Sequence, residues 1–222
     1  MPLLDLLKGS PLYQTDEMFR SRVDRAVRRE AIFSKYSLFN FDIEITTDCN
    51  LQCRTCYMTA PEKVGHLTLD QYETAMSRAA ELVDHLNLDG IWLTMTGGEP
   101  FMNPEFIRMI EVSPGYKVKG IALVTNGTFI TPERAQELED LEVAEIMISL
   151  DGATPYTNDL IREQGAFEKI MKGIRALQKT TIYRGTTLTL TTTNMNDVEP
   201  YVDLCFKEGL NYAWVNPPVN TG

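Results

Sequence analysis

Six short apolar runs, each followed by a polar loop and a helical stretch, leave this chain few folds to choose from. The runs are "FDIEIT" (41–46), "GIWLTM" (90–95), "GIALVT" (120–125), "EIMISL" (145–150), "TTLTLTT" (186–192) and "YAWVN" (212–216). Between the first two, "TLDQYETAMSRAAELVDHL" opens on a Thr68–Gln71 capping box and sets Leu69, Tyr72, Met76, Ala79 and Val83 on one helical face. Asn103–Pro104 and Thr131–Pro132 carry N-cap and first-turn signals for the next two helices. "FEKIMKGIRALQK" belongs to the fourth, and the fifth runs from about Asp197 to Gly209. Strict alternation implies an α/β fold of parallel strands joined by right-handed crossovers, either a doubly wound sheet or an incomplete barrel. In both, chemistry collects beyond the carboxyl ends of the strands.

The unusual residues fall at those ends. The strands are followed in turn by a cysteine cluster, "TGGEP", "TNGT", "SLDGAT", "TTN" and "NPPVNTG". One polar, glycine-rich loop is ordinary, whereas a succession of them facing one opening reads as a site. Ahead of the first strand, residues 11–36 place Met18, Phe19, Val23, Ala26, Val27 and Ala31 at helical spacing, with arginines and acids opposite. This reads as an N-terminal helical extension over residues 1–39, packed on a core domain over 40–222.

A chain of 222 residues with 43% hydrophobic and 23% charged residues suits one sizeable α/β domain. No apolar run nears the ~20 residues of a membrane span. "MPLLDLLKGS" has no long apolar segment of the signal-peptide kind, so a cytoplasmic location and no membrane partner are expected. A net charge of −10 argues against a nucleic-acid partner, which would call for a basic face. Four cysteines in such a chain point to a metal or redox site over a disulfide scaffold.

Three of them, Cys49, Cys53 and Cys56, form C-x3-C-x2-C in "CNLQCRTCY". That spacing lets three thiolates approach one inorganic centre. A [4Fe–4S] cluster normally takes four thiolates, so three would leave one iron open. Zinc is the alternative, with His66 completing a Cys3His set. The spacing alone leaves both open. Cys205, in "YVDLCFKEG", reads as a small buried hydrophobe, His85 as helix surface and Asp151 as a turn residue.

Taken with "TGGEP" at 96–100 and "SLDG" at 149–152, the cysteine motif after the first strand resembles the radical S-adenosylmethionine superfamily, across residues 40–222. The resemblance implies a partial (β/α)6 barrel, a [4Fe–4S] cluster on Cys49, Cys53 and Cys56, and S-adenosylmethionine chelated to the open iron. It places Gly97 and Gly98 where the backbone approaches the cofactor, and Glu99 as acceptor for its ammonium group. By the same resemblance Ser149 contacts the cofactor, and Arg162, in "NDLIREQGAF", pairs with its carboxylate. Asn126 and Thr191 would reach the ribose or methionine, and Asn216 would lie near the adenine. Thr55 stands where family members usually carry an aromatic residue, with Tyr57 as the neighbour that would pack there instead.

The activity implied is reductive cleavage of S-adenosylmethionine to a 5′-deoxyadenosyl radical, fed by a reductant such as flavodoxin or ferredoxin. "SLDGATPYTNDLIREQGAFEKIMKGIRAL" and "NPPVNTG" resemble the branch that modifies peptides and proteins. Members of that branch continue into a cysteine-rich extension with auxiliary clusters, so the chain reads as either a minimal enzyme or a fragment. The alternatives are a small-molecule radical enzyme of cofactor, nucleotide or sugar biosynthesis, and a non-enzymatic iron–sulfur or zinc module.

Overall fold

The computed structural model describes residues 3–56 and 65–217. Its sheet consists of β1 (Leu38–Glu44), β2 (Gly90–Thr96), β3 (Val118–Thr125), β4 (Val143–Ser149), β5 (Tyr183–Thr189) and β6 (Tyr212–Asn216), in the spatial order β1-β2-β3-β4-β5-β6. Each adjacent pair is parallel. An order that never reverses puts each right-handed crossover on the same face. The sheet therefore curls about its other face as a partial barrel, and the doubly wound alternative, which requires a reversal, is set aside.

The helices are α1 (Leu3–Lys8), α2 (Pro11–Thr15), α3 (Glu17–Lys35), α4 (Leu69–His85), α5 (Phe106–Val112), α6 (Pro132–Asp140), α7 (Pro155–Ile161), α8 (Ala166–Ala176) and α9 (Val198–Lys207). On the outer face of β2, Ile91, Leu93 and Met95 share the core with Tyr72 and Met76 of α4, all fully buried. Burial on this scale stabilises the layer by roughly 1.5–3 kcal/mol per large side chain. The Thr68–Gln71 capping box forms as expected, and Thr131 caps α6. Asn103 does not cap a helix directly, because α5 starts only at Phe106; its Oδ1 accepts from the Glu105 amide at 2.9 Å. No helix among the described residues is long and apolar enough to cross a membrane.

The single helix expected over 11–36 is two. Asp16 adopts an extended conformation that ends α2, and its carboxylate accepts the Phe19 amide at 2.9 Å to start α3. Helix α3 then closes the amino-terminal end of the barrel. Arg22 donates to the Phe206 carbonyl, and Arg25 Nη2 donates to the Gly209 carbonyl at 2.7 Å. These guanidiniums meet the carbonyl-rich, negative end of α9, and burial still pulls both below the usual arginine range. Deeper in, Arg29 Nε lies 2.5 Å from Glu145 Oε2, and Tyr212 donates to Glu145 Oε1 at 2.7 Å. Two glycines make room for this plug. A Cβ on Gly120 would sit 2.4 Å from the Trp92 ring, and one on Gly185 would sit 2.5 Å from the Tyr212 ring.

Strand boundaries differ from expectation at two places that matter. β1 begins at Leu38, and β5 spans Tyr183–Thr189 where 186–192 was expected. The second shift follows from Asn194: its Oδ1 accepts the Thr191 amide at 2.7 Å and folds "TTN" into a turn, so the strand ends before it.

Candidate functional site

The cysteine loop leaves β1 and is stitched down before Cys49. Ile45 donates to the Thr96 carbonyl at 3.0 Å and Thr47 to the Gly65 carbonyl at 3.0 Å, while Asn103 Nδ2 donates to the Ile45 and Leu67 carbonyls at 2.8 and 3.0 Å. "TGGEP" completes the seam, with Gly98 donating to Thr46 O and Glu99 to Asp48 O, both at 2.8 Å. Gly97 has φ +133, and a Cβ on Gly98 would meet the Asp48 carbonyl at 2.3 Å. The close approach these glycines permit is thus to the chain's own cysteine loop.

Cys49, Cys53 and Cys56 are half-buried free thiols beyond that seam. Cys49 Sγ accepts from the Leu51 amide at 3.5 Å and lies 3.8 Å from Asn126 Nδ2. Cys53 Sγ lies 3.9 Å from Arg162 Nη1. Burial pushes the Cys53 thiol up to about 11, with the Arg162 charge pulling the other way; burial raises Cys49 as well. A metal centre is what turns such thiols into thiolates at neutral pH.

His66 has other partners. Its Nδ1 is 2.8 Å from Thr46 Oγ1, and its Nε2 is 3.4 Å from Asp48 Oδ2. Among the described residues, no three His, Cys, Asp or Glu side chains group closely enough to hold a single metal ion. His66 is thus taken up by Thr46 and Asp48, which leaves the three thiols as the donors this loop offers to a cluster.

Glu99 is fully buried. Its Oε1 accepts from Thr125 Oγ1 at 2.8 Å and its Oε2 from the Asn126 amide at 2.8 Å. Burial raises its carboxyl to about 7 against the pull of those donors. A desolvated carboxylate of this kind is suited to a cationic group. Asn126 links the same loop to the cysteines, because its Nδ2 donates to Asn50 Oδ1 at 2.8 Å.

On the other side of the mouth, the residue expected to be a turn aspartate is fully buried. Asp151 Oδ1 accepts the Thr189 amide at 2.7 Å, and Oδ2 lies 2.9 Å from Arg162 Nε, an ion pair without hydrogen-bond alignment. The turn reading fails because the side chain points into the barrel wall, where β4 and β5 end together. Asn194, unassigned from sequence, is also fully buried and donates to the Asp151 and Thr189 carbonyls, each at 2.9 Å. Thr191 is held in the Asn194 turn. Ser149 pairs in register with Thr187, and Asn216 Nδ2 donates to Thr187 Oγ1 at 2.7 Å, so all three share the inner face. Arg162 closes α7, a helix that the Thr154–Pro155 pair announces by the same signal as Thr131–Pro132. Cys205 is buried against Thr186, as expected of a core residue, while Tyr57 lies outside the described residues.

Comparison with known proteins agrees with this geometry. The model of the Radical SAM superfamily matches residues 43–205. The mycofactocin maturase MftC of Mycobacterium tuberculosis is 33% identical over 136 residues, 61% of this chain and 32% of the relative. An AdoMet-dependent heme synthase of Nitratidesulfovibrio vulgaris is 31% identical over 175 residues, 77% of this chain and 45% of the relative. Among solved structures, Streptococcus suis SuiB bound to S-adenosylmethionine superposes with a TM-score of 0.70 at 15% identity, covering 98% of this chain and 52% of that one. The matched stretch is thus from about a third to about a half of these proteins' length.

Proposed function

Since the chain belongs to the radical SAM superfamily, whose members use a [4Fe–4S] cluster and S-adenosylmethionine, we propose that it is a radical enzyme acting on a peptide or protein. The observation that carries the chemistry is the convergence of three half-buried thiols and the buried carboxylate of Glu99 at the carboxyl ends of β1 to β3. When bound, the cluster and S-adenosylmethionine supply a 5′-deoxyadenosyl radical that removes a hydrogen atom from the substrate.

Cys49, Cys53 and Cys56 would hold the cluster. Glu99 would accept from the cofactor's ammonium, held in place by Thr125 and the Asn126 amide. Arg162 would face its carboxylate, and Ser149, Asn126, Thr191 and Asn216 line the same mouth. At the opposite end of the barrel, Arg29, Glu145 and Tyr212 form a side-chain plug.

The inner wall bears on the substrate class. In the paired registers, β1 turns Asn40, Asp42 and Glu44 to the same face as Trp92, Thr94 and Thr96, and β6 turns Tyr212, Trp214 and Asn216 inward. Those inward rows carry acids, hydroxyls and an exposed tryptophan, and none of their residues is a lysine or arginine. A wall of this kind suits a neutral or basic peptide segment better than a substrate with several carboxylates. The second reading, a tetrapyrrole-type small molecule, is supported by the likeness to heme synthases. The test is anaerobic reconstitution and an assay for 5′-deoxyadenosine with dithionite, adding either lysine-containing peptides or a carboxylated tetrapyrrole. Stimulation by peptide is expected. Stimulation by the tetrapyrrole alone would move the assignment to the second reading, and no 5′-deoxyadenosine under any condition would end both.

A further inference from the structure

Arg162 is tied to the cysteine loop more firmly than a cofactor contact requires. The residues on either side of Cys53 are bonded to the residues on either side of Arg162. The Arg54 amide donates to the Ile161 carbonyl at 2.7 Å, and the Gln52 amide donates to Glu163 Oε2 at 3.3 Å. This double join fixes the register of the two residues independently of their side chains. Within it, the guanidinium is only 10% exposed, its Nε faces Asp151 Oδ2 at 2.9 Å, and its Nη1 reaches to 3.9 Å from Cys53 Sγ. Asp151 is itself anchored by the Thr189 amide and by Asn194.

We propose that Arg162, held by Asp151, donates to the Cys53 sulfur and thereby sets how readily the cluster accepts its electron. This rests on the cluster assignment above, and it gives Arg162 a role beyond pairing with a cofactor carboxylate. Reduction adds one electron from an external low-potential donor, moves no proton, and leaves more negative charge on the sulfurs. A guanidinium beside one thiolate, shielded from water, stabilises that charge and raises the midpoint potential; hydrogen bonds to cluster sulfurs are an established lever on potential. The exposed Arg54 is the natural contrast. It adjoins Cys53 in sequence, but water screens its charge.

The experiment is an EPR-monitored redox titration, with dithionite, of the cluster-loaded protein without S-adenosylmethionine, with iron content as the loading control. Wild type should show the highest potential, Arg162→Lys an intermediate one and Arg162→Gln the lowest, while Arg54→Gln should stay close to wild type. Where the glutamine variant holds no cluster, the lysine variant decides: unchanged EPR g-values and an unchanged potential overturn the proposal. So does an equal shift in Arg54→Gln, which would reduce the effect to net charge. A wild-type protein that loads no cluster fails earlier, at the functional reading, and is recognised by its iron content alone.

Discussion

The Asn126 amide donates to Glu99 Oε2 at 2.8 Å, joining the loop after β3 to the loop after β2 through a fully buried carboxylate. Burial holds that carboxyl at about 7, against 4.5 for an ordinary glutamate. The unfolded chain therefore releases the proton first as pH rises, and Glu99 costs stability across the window from about pH 4.5 to about 7, levelling above it. The full penalty is roughly 3 kcal/mol. Iron-free protein should melt at progressively lower temperature as pH rises through that window, and Glu99→Gln should flatten the trend. A slope that survives in Glu99→Gln belongs to another group.

The same residue separates stability from binding. Glu99→Gln should hold the cluster yet bind S-adenosylmethionine about ten- to a hundred-fold more weakly, since a charge-assisted hydrogen bond contributes roughly 1.5–3 kcal/mol. Calorimetry on the reconstituted variant reads this directly. Unchanged affinity would mean that the ammonium is bound elsewhere.

For the metal, alanine at Cys49, Cys53 or Cys56 should abolish iron binding, measured on anaerobically reconstituted protein. Cys205→Ala should keep the iron, because that thiol is buried between β5 and α9 against Thr186 Oγ1, on the far side of the wall. Its cost should be thermal only, on the order of 1 kcal/mol. Stoichiometric zinc in place of iron would reverse the cluster assignment.

How far the sequence could be read follows from which residues speak locally. Alternation and capping chemistry are local, so the strands, the order of the helices and the Thr68 and Thr131 caps were legible. The cysteine spacing and "TGGEP" carry their own geometry, and both arrive at the mouth. Asp151 and Asn194 were not legible, because an aspartate after a strand looks like a turn residue until β5 closes over it. Asn103 read as a helix N-cap, which it is not; its amide instead supports the root of the cysteine loop, a contact made only across the fold. What Gly97 and Gly98 approach was equally hidden, since Thr46 and Asp48 are distant in sequence and meet them only across strands.

Asp151 gives a stability prediction of its own. Asp151→Ala would leave the Arg162 guanidinium, 10% exposed, without its counter-charge and the Thr189 amide without its acceptor. Breaking a buried pair from one side costs about 3–5 kcal/mol. Denaturant melts of Asp151→Ala and of the double variant Asp151→Ala/Arg162→Met should differ, the double being the more stable. Equal losses would show that Asp151 acts through Thr189 alone.

Three glycines distinguish the roles of the two ends of the barrel. At Gly98 an added Cβ would lie 2.3 Å from the Asp48 carbonyl, a backbone atom next to Cys49, so the cysteine loop must move. At Gly185 it would meet the Tyr212 ring at 2.5 Å, so the plug around Glu145 must repack. At Gly115 nothing lies within 4 Å. Gly98→Ala should therefore lose iron on reconstitution out of proportion to its drop in stability. Gly185→Ala should lose roughly 1–3 kcal/mol of stability by overpacking and still load iron. Gly115→Ala should change neither. Iron content per folded protein, set beside the denaturation midpoint of each variant, separates the cases. Full iron loading in Gly98→Ala would show that the loop after β2 is not what positions Cys49, and that the seam from Thr46 to Asp48 is dispensable for the site.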